Sequence, residues 1–146
     1  MFWTILFLHL LGAAIWAGGH LVLSFVIVPR AVRAGDPAVM HDFGRGFMPL
    51  AMPALALQVL TGLWLAFQIS PDWRDWLQLS DPVSAGIALK IALLVATMGI
   101  AMASHMGGHR HHGPAAVRSM AWRARGMTAL AVLFVATGAF LRTGGL

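Results

Sequence analysis

Apolar residues fill four long stretches of the chain, and charged residues are concentrated between them. Residues 2–28 and 46–68 contain no Asp, Glu, Lys or Arg, and residues 82–106 contain Lys90 as their one fixed charge. A fourth apolar stretch, residues 126–141, is shorter. The preceding turn, which carries Arg123 and Arg125, extends it to residues 122–142. A helix of roughly 20 residues crosses about 30 Å of hydrocarbon, and each stretch is about that long. The pattern predicts an all-α integral membrane protein, a single transmembrane domain over residues 1–146 built as a four-helix bundle.

Composition narrows the class of protein further. Of the 146 residues, 59% are hydrophobic and 10% are charged, which is far from the average of soluble domains. The chain has no cysteine, so disulfides, iron–sulfur clusters and thiolate metal sites are excluded. The sequence has no phosphate-binding glycine loop and no nucleophile elbow, which argues against nucleotide binding and hydrolytic catalysis.

Basic residues are enriched in alternate loops, which predicts the orientation of the chain. The first connection holds Arg30, Arg33 and Arg45, and the third holds Arg110, Arg118, Arg123 and Arg125. The second connection holds only Arg74. The positive-inside rule then places both termini in the periplasm of a bacterial-type cell, with the protein in the inner membrane. Because the arginines mark helix ends beside anionic lipid, we expect the lipid bilayer as a partner and no nucleic acid.

Small residues and loop residues predict further features of the bundle. Asp81 and Pro82 are suited to the N-cap and first turn of the third helix, and residues 70–82 fit a short interfacial helix. Small residues recur at four-residue spacing in the pairs Ala14 with Gly18, Ala92 with Ala96, and Gly99 with Ala103. Such pairs let helix backbones approach closely in lipid. They predict tight packing within the bundle, and their number also predicts a homodimer.

Two histidines in the first apolar stretch are the strongest candidates for chemistry. His9 and His20 share one helical stripe with Ala13 and Trp16, and about 1.5 Å of rise per residue separates the two rings by roughly 16 Å. An imidazole retained in hydrocarbon usually faces a bundle interior, a cavity, a metal or a cofactor. The spacing therefore predicts two inward-facing imidazoles at two depths in the membrane.

Lys90 lies about as deep in the third stretch as His9 lies in the first. The two side chains are expected to meet in one layer, where they contact a ligand or relay protons. In the alternative interpretation, Lys90 extends to the membrane surface and His9 forms a hydrogen bond with a neighbouring helix.

A stripe of methionine and histidine follows Lys90 on the third stretch. Thioether and imidazole ligands together select Cu(I), and the stripe comprises Met98, Met102, His105 and Met106. Methionine also fills gaps in apolar cores, which the same spacing allows. The tract HMGGHRHHG then adds His109 and His112, a composition typical of metal binding and equally of a solvated loop. The predicted metal ligands are therefore these six residues together with His9 and His20.

A b-type haem is the alternative cofactor. A haem needs axial ligands, a slot lined by small residues and cations for its propionates. His20 is the candidate axial ligand, with His41 and His105 as possible neighbours, and the inner arginines are candidate partners of the propionates.

Three apolar segments resemble a known family. LHLLGAAIWAGG, FGRGFMPLAMPALALQVLTGLWLA and ALKIALLVATMGIAMASH are similar to the copper-resistance protein D (CopD) family of bacterial inner-membrane proteins, most specifically at the steps WAGG, TGL and LK. The resemblance implies copper handling, with a periplasmic copper carrier or an oxidase-assembly protein as partner. A second resemblance is to HemJ-type protoporphyrinogen oxidases, four-helix proteins in which a first-helix histidine and a third-helix lysine are linked to haem. His9 and Lys90 are the matching positions here.

Three functions follow from the sequence. The first is an inner-membrane protein that binds or handles copper through His and Met ligands. The second is a b-type haem protein for electron transfer or tetrapyrrole oxidation. The third is a structural or assembly subunit of a larger membrane complex.

Overall fold

A computed structural model of the chain is entirely helical over the residues it describes. These are residues 1–107 and 114–143, of which 104–107, 114 and 142 are described by their backbone alone. The helices are α1 (Phe2–Val22), α2 (Val28–Ala34), α3 (Ala38–Ile69), α4 (Asp75–Gln78), α5 (Pro82–Gly107) and α6 (Pro114–Arg142), and a π-helical turn (Leu23–Ile27) joins α1 to α2. Four continuous helical segments of the described chain, which we call rods, are long and apolar enough to cross a membrane: Phe2–Ala34, Ala38–Ile69, Pro82–Ala103 and Ala115–Leu141.

Three of the rods extend beyond the predicted boundaries. The first rod ends at Ala34 rather than at residue 28, α3 begins at Ala38 rather than at 46, and α6 begins at Pro114 rather than at 122. Charged residues mark the edge of the hydrocarbon, but arginine and alanine are good helix formers and continue a helix into water. The turn between α2 and α3 is short because Gly35 has a φ of 65°, a left-handed conformation that glycine adopts without strain.

The start of α5 confirms the predicted cap. One carboxylate oxygen of Asp81, Oδ1, accepts hydrogen bonds from the backbone N–H of Val83 at 2.8 Å and of Ser84 at 3.0 Å. The Ser84 hydroxyl lies 3.2 Å from the Asp81 backbone nitrogen, which donates to it. These bonds from Ser84 hold the pKa of Asp81 below its ordinary value. The predicted interfacial helix is α4, where the buried Trp76 donates its indole N–H to the Ser70 carbonyl at 3.0 Å.

The bundle packs chiefly through two helix pairs, α1 with α3 and α5 with α6, and α1 also contacts α6. We refer to the end that carries α4 and Met1 as the α4 end, and to the opposite end as the α2 end. The largest core cluster lies at the α2 end and consists of Val28, Ala31, Met40, Val117, Ala121 and Ala124. Alanine dominates it because small side chains let the helix axes approach closely.

The small-residue pairs predicted to pack the bundle point outward instead. Ala14, Ala92 and Ala96 are exposed, and a Cβ built on Gly18 or Gly99 would meet nothing within 4 Å. Close approach uses other glycines, since a methyl at Gly19 would overlap the Phe47 ring. Four-residue spacing identifies a smooth helix face, but it does not say whether that face turns toward the bundle or toward lipid.

Candidate functional site

The inward stripe of α1 carries both histidines, as the spacing predicted. His20 is 7% exposed, and His9, Ala13 and Trp16 are half-buried on the same face. The two imidazoles lie at different levels of the bundle, His9 toward the α4 end and His20 near the π-helical turn. We refer to them as the His9 level and the His20 level.

At the His9 level, a threonine of α3 fixes the histidine ring. The Nδ1 atom of His9 lies 2.9 Å from Oγ1 of Thr61, and the Thr61 hydroxyl donates its own proton to the Leu57 carbonyl at 2.6 Å. Since that proton is committed, Thr61 accepts the bond and Nδ1 of His9 carries the hydrogen. In the neutral ring, Nε2 is then the unprotonated nitrogen, which is the atom that binds a metal.

A glycine next to that threonine makes room for the ring. A Cβ built on Gly62 would lie 2.9 Å from Cε1 of His9, closer than such contacts normally come. The Thr61–Gly62 step therefore does two things for His9: the threonine accepts its N–H, and the glycine allows the imidazole to lie against the α3 backbone.

Lys90 joins the His9 level from α5. Its side chain is half-buried, and Nζ lies 3.3 Å from the position of a Cβ built on Gly138 of α6. The ammonium is close enough to His9 for a direct Coulombic interaction. Among the described residues the one ion pair joins Arg45 to Asp42 at the α2 end, so no carboxylate pairs with Lys90 in this part of the chain. The structure thus places Lys90 within electrostatic range of His9, in agreement with their matching depths in the two stretches.

The His20 level is closed by aromatic rings. Nδ1 of His20 donates to the Trp16 carbonyl at 2.8 Å, so Nε2 is again the unprotonated nitrogen of the neutral ring. The Trp16 ring centroid lies 4.5 Å from that of His20, and the Phe47 ring meets the imidazole edge-on at 6.1 Å. These rings cover most of the His20 side chain.

A hydroxyl network ties the His20 level to α6. The Thr128 hydroxyl lies 2.8 Å from the His20 carbonyl oxygen and 2.9 Å from the Ala124 carbonyl oxygen. The Ser24 hydroxyl lies 2.5 Å from that of Thr128. Ser24 stands in the π-helical turn, where the backbone pattern shifts from that of an α-helix. The turn and the threonine together hold α1 against α6.

The methionine stripe is not part of the interior. Met98 is 55% exposed and Met102 is 63% exposed, on the outer face of α5 that also carries Ile91 and Val95. The inward face of α5 carries Ile87, Lys90, Leu93 and Thr97 instead, so these two methionines do not line the interior, and their role as metal ligands stays a prediction. The spacing showed that the methionines share a face, but it did not show which face is inward.

The remaining predicted ligands are only partly described. The backbone of His105 and Met106 belongs to α5, and their side chains lie outside the described part of the structure, as do His109 and His112 altogether. His41, a possible neighbour of His20, is exposed at the start of α3, where Nδ1 lies 3.1 Å from the Pro37 carbonyl. Within the described residues, no three His, Cys, Asp or Glu side chains converge as a metal site.

Several residues that shape these levels do not stand out in the sequence. Thr61 and Gly62 were noted only as a motif, and Ser24, Gln58 and Thr128 were not singled out. A polar side chain inside an apolar span was the available signal for Ser24, Gln58 and Thr128. Their partners lie on other helices, which the order of residues along one helix does not reveal.

Comparisons with known proteins add no relative. The chain matches no family model, and no curated protein or solved structure is significantly similar to it. The function is therefore argued from the two levels themselves.

Proposed function

We propose that this chain binds a b-type haem at the His9 level and serves in electron transfer or tetrapyrrole oxidation. The observation that carries the proposal is the orientation of His9. Its Nδ1–H is committed to Thr61, so the neutral ring offers Nε2 to a ligand, and Lys90 stands beside it. Histidines that bind metals are held in this way, with the other ring nitrogen donating to a second group.

The donor set fits haem in two respects. A neutral imidazole is an axial ligand of haem iron, and His9 would supply it. The ammonium of Lys90 has no carboxylate partner among the described residues, and it would pair with a propionate. Bound haem would supply one-electron chemistry, with a potential set by its ligand and its surroundings. The resemblance to HemJ-type oxidases names the same two residues.

The space available directs where such a group would lie. The cavity between the two levels has a volume of about 20 Å³, which suits a water molecule and not a macrocycle. A more open groove of about 720 Å³ lies between the first rod and α6 beside Ser24 and Thr128, and His9 lines neither space. We therefore propose that His9 is reached from the surface of the bundle. A homodimer, which the exposed small-residue faces of α1 and α5 also favour, would enclose the group between two copies.

Copper is less well supported at this level. A Cu(I) ion at His9 would be repelled by the neighbouring ammonium of Lys90, and an anionic porphyrin would be attracted to it. The two described methionines of the proposed copper track face outward. Copper handling therefore remains a prediction of the sequence, which the experiment below distinguishes from haem binding.

We further propose a bacterial inner-membrane location with both termini and α4 in the periplasm, supported by the arginines at the α2 end. Since the chain lacks cysteine, single cysteines introduced at the exposed positions Ala34 and Arg74 report the orientation. A membrane-impermeant thiol reagent should label the second in intact spheroplasts and the first only after lysis. The reverse labelling would contradict the orientation.

The test of function is an absorption spectrum and an elemental analysis of the same purified preparation. We expect a Soret band, b-type peaks on reduction, and iron rather than copper. Lys90→Met should weaken haem retention about tenfold, and Lys90→Arg, which keeps the charge, should retain most of it. A colourless preparation that takes up Cu(I) stoichiometrically would overturn the haem proposal in favour of copper. Failure to bind either one would favour the assembly role.

A further inference from the structure

A small cavity lies inside the bundle between the two histidine levels. All four rods line it, through Ala13 and Trp16 of α1, Gln58 of α3, Thr97 of α5 and Ala131 of α6, and its volume is about 20 Å³. Ala13 and Trp16 stand between His9 and His20 on the inward stripe. The cavity therefore lies midway between the levels, at the centre of the spanning part of the protein.

Gln58 brings an unsatisfied acceptor to this cavity. Its carboxamide oxygen Oε1 is buried and has no hydrogen-bond partner among the described residues. The oxygen lies against α1, 3.0 Å from the position of a Cβ built on Gly12. An unpaired polar atom in an apolar interior is costly, and more so where lipid surrounds the bundle, so a partner is expected.

Thr97 offers a second acceptor across the cavity. Its hydroxyl donates to the Leu93 carbonyl at 2.8 Å, so the proton is committed and Oγ1 is left as an acceptor on a residue that lines the cavity. The cavity thus has two acceptor oxygens, and the rest of its described lining is apolar apart from the indole N–H of Trp16. The group that satisfies both oxygens must donate two hydrogen bonds and be very small.

We propose that this cavity binds one water molecule, which donates one hydrogen bond to Gln58 Oε1 and one to Thr97 Oγ1. A cavity holds a water molecule when its volume exceeds about 10–15 Å³ and polar partners are present. This cavity, at about 20 Å³ and with two acceptor oxygens, meets both conditions. A metal cation would also meet two acceptors, but it would lose its hydration shell among apolar side chains with no negative charge to compensate.

The proposed water molecule would be a polar group inside the bundle, at a depth between His9 and His20. Gln58 stands one turn before Thr61, and the Thr61 hydroxyl lies 3.4 Å from the Gln58 carbonyl. The sequence of polar groups thus runs from His9 through Thr61 and Gln58 to the water and Thr97. This inference rests on the cavity alone and is independent of the proposed haem.

The test is water-edited solid-state NMR on the full chain in lipid bilayers, with alanine methyl groups as the probes. We expect magnetisation transfer from water to the Ala13 and Ala131 methyls, which line the cavity. Ala124, which is 8% exposed in the core cluster away from the cavity, is the matched control. Magnetisation transfer from water to the Ala124 methyl should be at least fivefold weaker than to the Ala13 and Ala131 methyls. Transfer to Ala13 and Ala131 no stronger than to Ala124 would overturn the proposal.

Two variants make the assignment specific. Gln58→Met removes the acceptor at similar volume, and Thr97→Val removes the hydroxyl; each should reduce transfer at Ala13 and Ala131 severalfold, and Thr97→Ser should restore it. Unchanged transfer in both variants would contradict the proposed site. Should Gln58→Met fail to fold, the wild-type and Thr97 measurements decide the question without it.

Discussion

His9 and His20 are the same residue type on the same stripe of α1, yet their surroundings differ. His9 lies against a glycine, beside a lysine, and its ring is half-buried. His20 is packed between Trp16 and Phe47, and its backbone carbonyl is a node of a hydroxyl network. Both rings donate Nδ1–H to an oxygen, so the hydrogen bond alone does not distinguish them. Their neighbours do, because His9 has Gly62 and Lys90 near it and His20 has two aromatic rings.

The two levels differ in how far their polar groups are satisfied within the bundle, and this difference is why we propose a ligand at the His9 level and a packing role for His20. At the His9 level one polar group lacks an ionic partner, because no carboxylate of the described residues pairs with Lys90. At the His20 level the hydroxyls of Ser24 and Thr128 are satisfied within the bundle. The predictions below change one level at a time.

Among the residues around His9, the largest expected effect comes from a single methyl group added at Gly62. Gly62→Ala places a Cβ 2.9 Å from Cε1 of His9, so the ring must turn away and its bond to Thr61 must lengthen. We expect haem retention to fall at least tenfold, measured by the Soret absorbance per protein. Gly46→Ala on the same helix is the control, because nothing lies within 4 Å of its Cβ. Equal retention in both variants would contradict the role of Gly62.

The next effect concerns the partner of the His9 ring. Thr61→Val keeps the shape of the side chain but leaves Nδ1–H of His9 without its acceptor. Loss of the group that orients a metal-binding histidine typically weakens binding about 10–100-fold, and we expect the lower part of that range. Thr61→Ser should restore binding. Haem titration of the purified variants measures this, and full affinity in Thr61→Val would refute the orienting role.

At the His20 level the expected effect is on stability rather than on ligand binding. Thr128→Val leaves the His20 carbonyl and Ser24 without their partner, and we expect the free energy of unfolding to drop by about 1–2 kcal/mol. Thr137→Val is closely matched, since Thr137 is also 7% exposed on α6 but bonds only the Leu133 carbonyl of its own helix. Its loss should be smaller. Equal losses in denaturant unfolding would remove the inter-helix network from the account.

The smallest effect lies outside both levels, at the cap of α5. The bonds from Ser84 hold the pKa of Asp81 below its ordinary value of 3.8. A lowered folded-state pKa contributes stability that is present above the unfolded-state pKa and is lost as the pH falls through the folded-state pKa. Asp81→Asn should therefore flatten the acid side of the thermal stability profile, by only about 1–2 °C because the carboxylate is exposed. An identical acid profile in Asp81→Asn would contradict this assignment.

Much of the fold was predictable because the length of each apolar stretch by itself predicts one helix long enough to cross a membrane. The four rods, the short α4 and the Asp81 cap all follow from local pattern and propensity. The inward stripe of α1 was also predicted, since an imidazole in hydrocarbon has few alternatives to facing inward.

What was not predictable depends on how helices face one another. The outward position of Met98 and Met102 follows from the rotation of α5, which its own periodicity does not fix. The bond from His9 to Thr61 joins residues 52 positions apart. The bond from the Thr128 hydroxyl to the His20 carbonyl joins residues 108 positions apart. These features require the packing of the whole bundle.

The central claim is that His9 is the ligand-binding histidine and that His20 is a packing residue. The most direct measurement is the absorption spectrum of His9→Ala and His20→Ala, purified in parallel, with the unfolding midpoint of each. We predict that His9→Ala loses the Soret band and keeps its stability within about 1 kcal/mol, and that His20→Ala keeps the band but is destabilised by about 2–4 kcal/mol. A Soret band that survives in His9→Ala and disappears in His20→Ala would contradict the account.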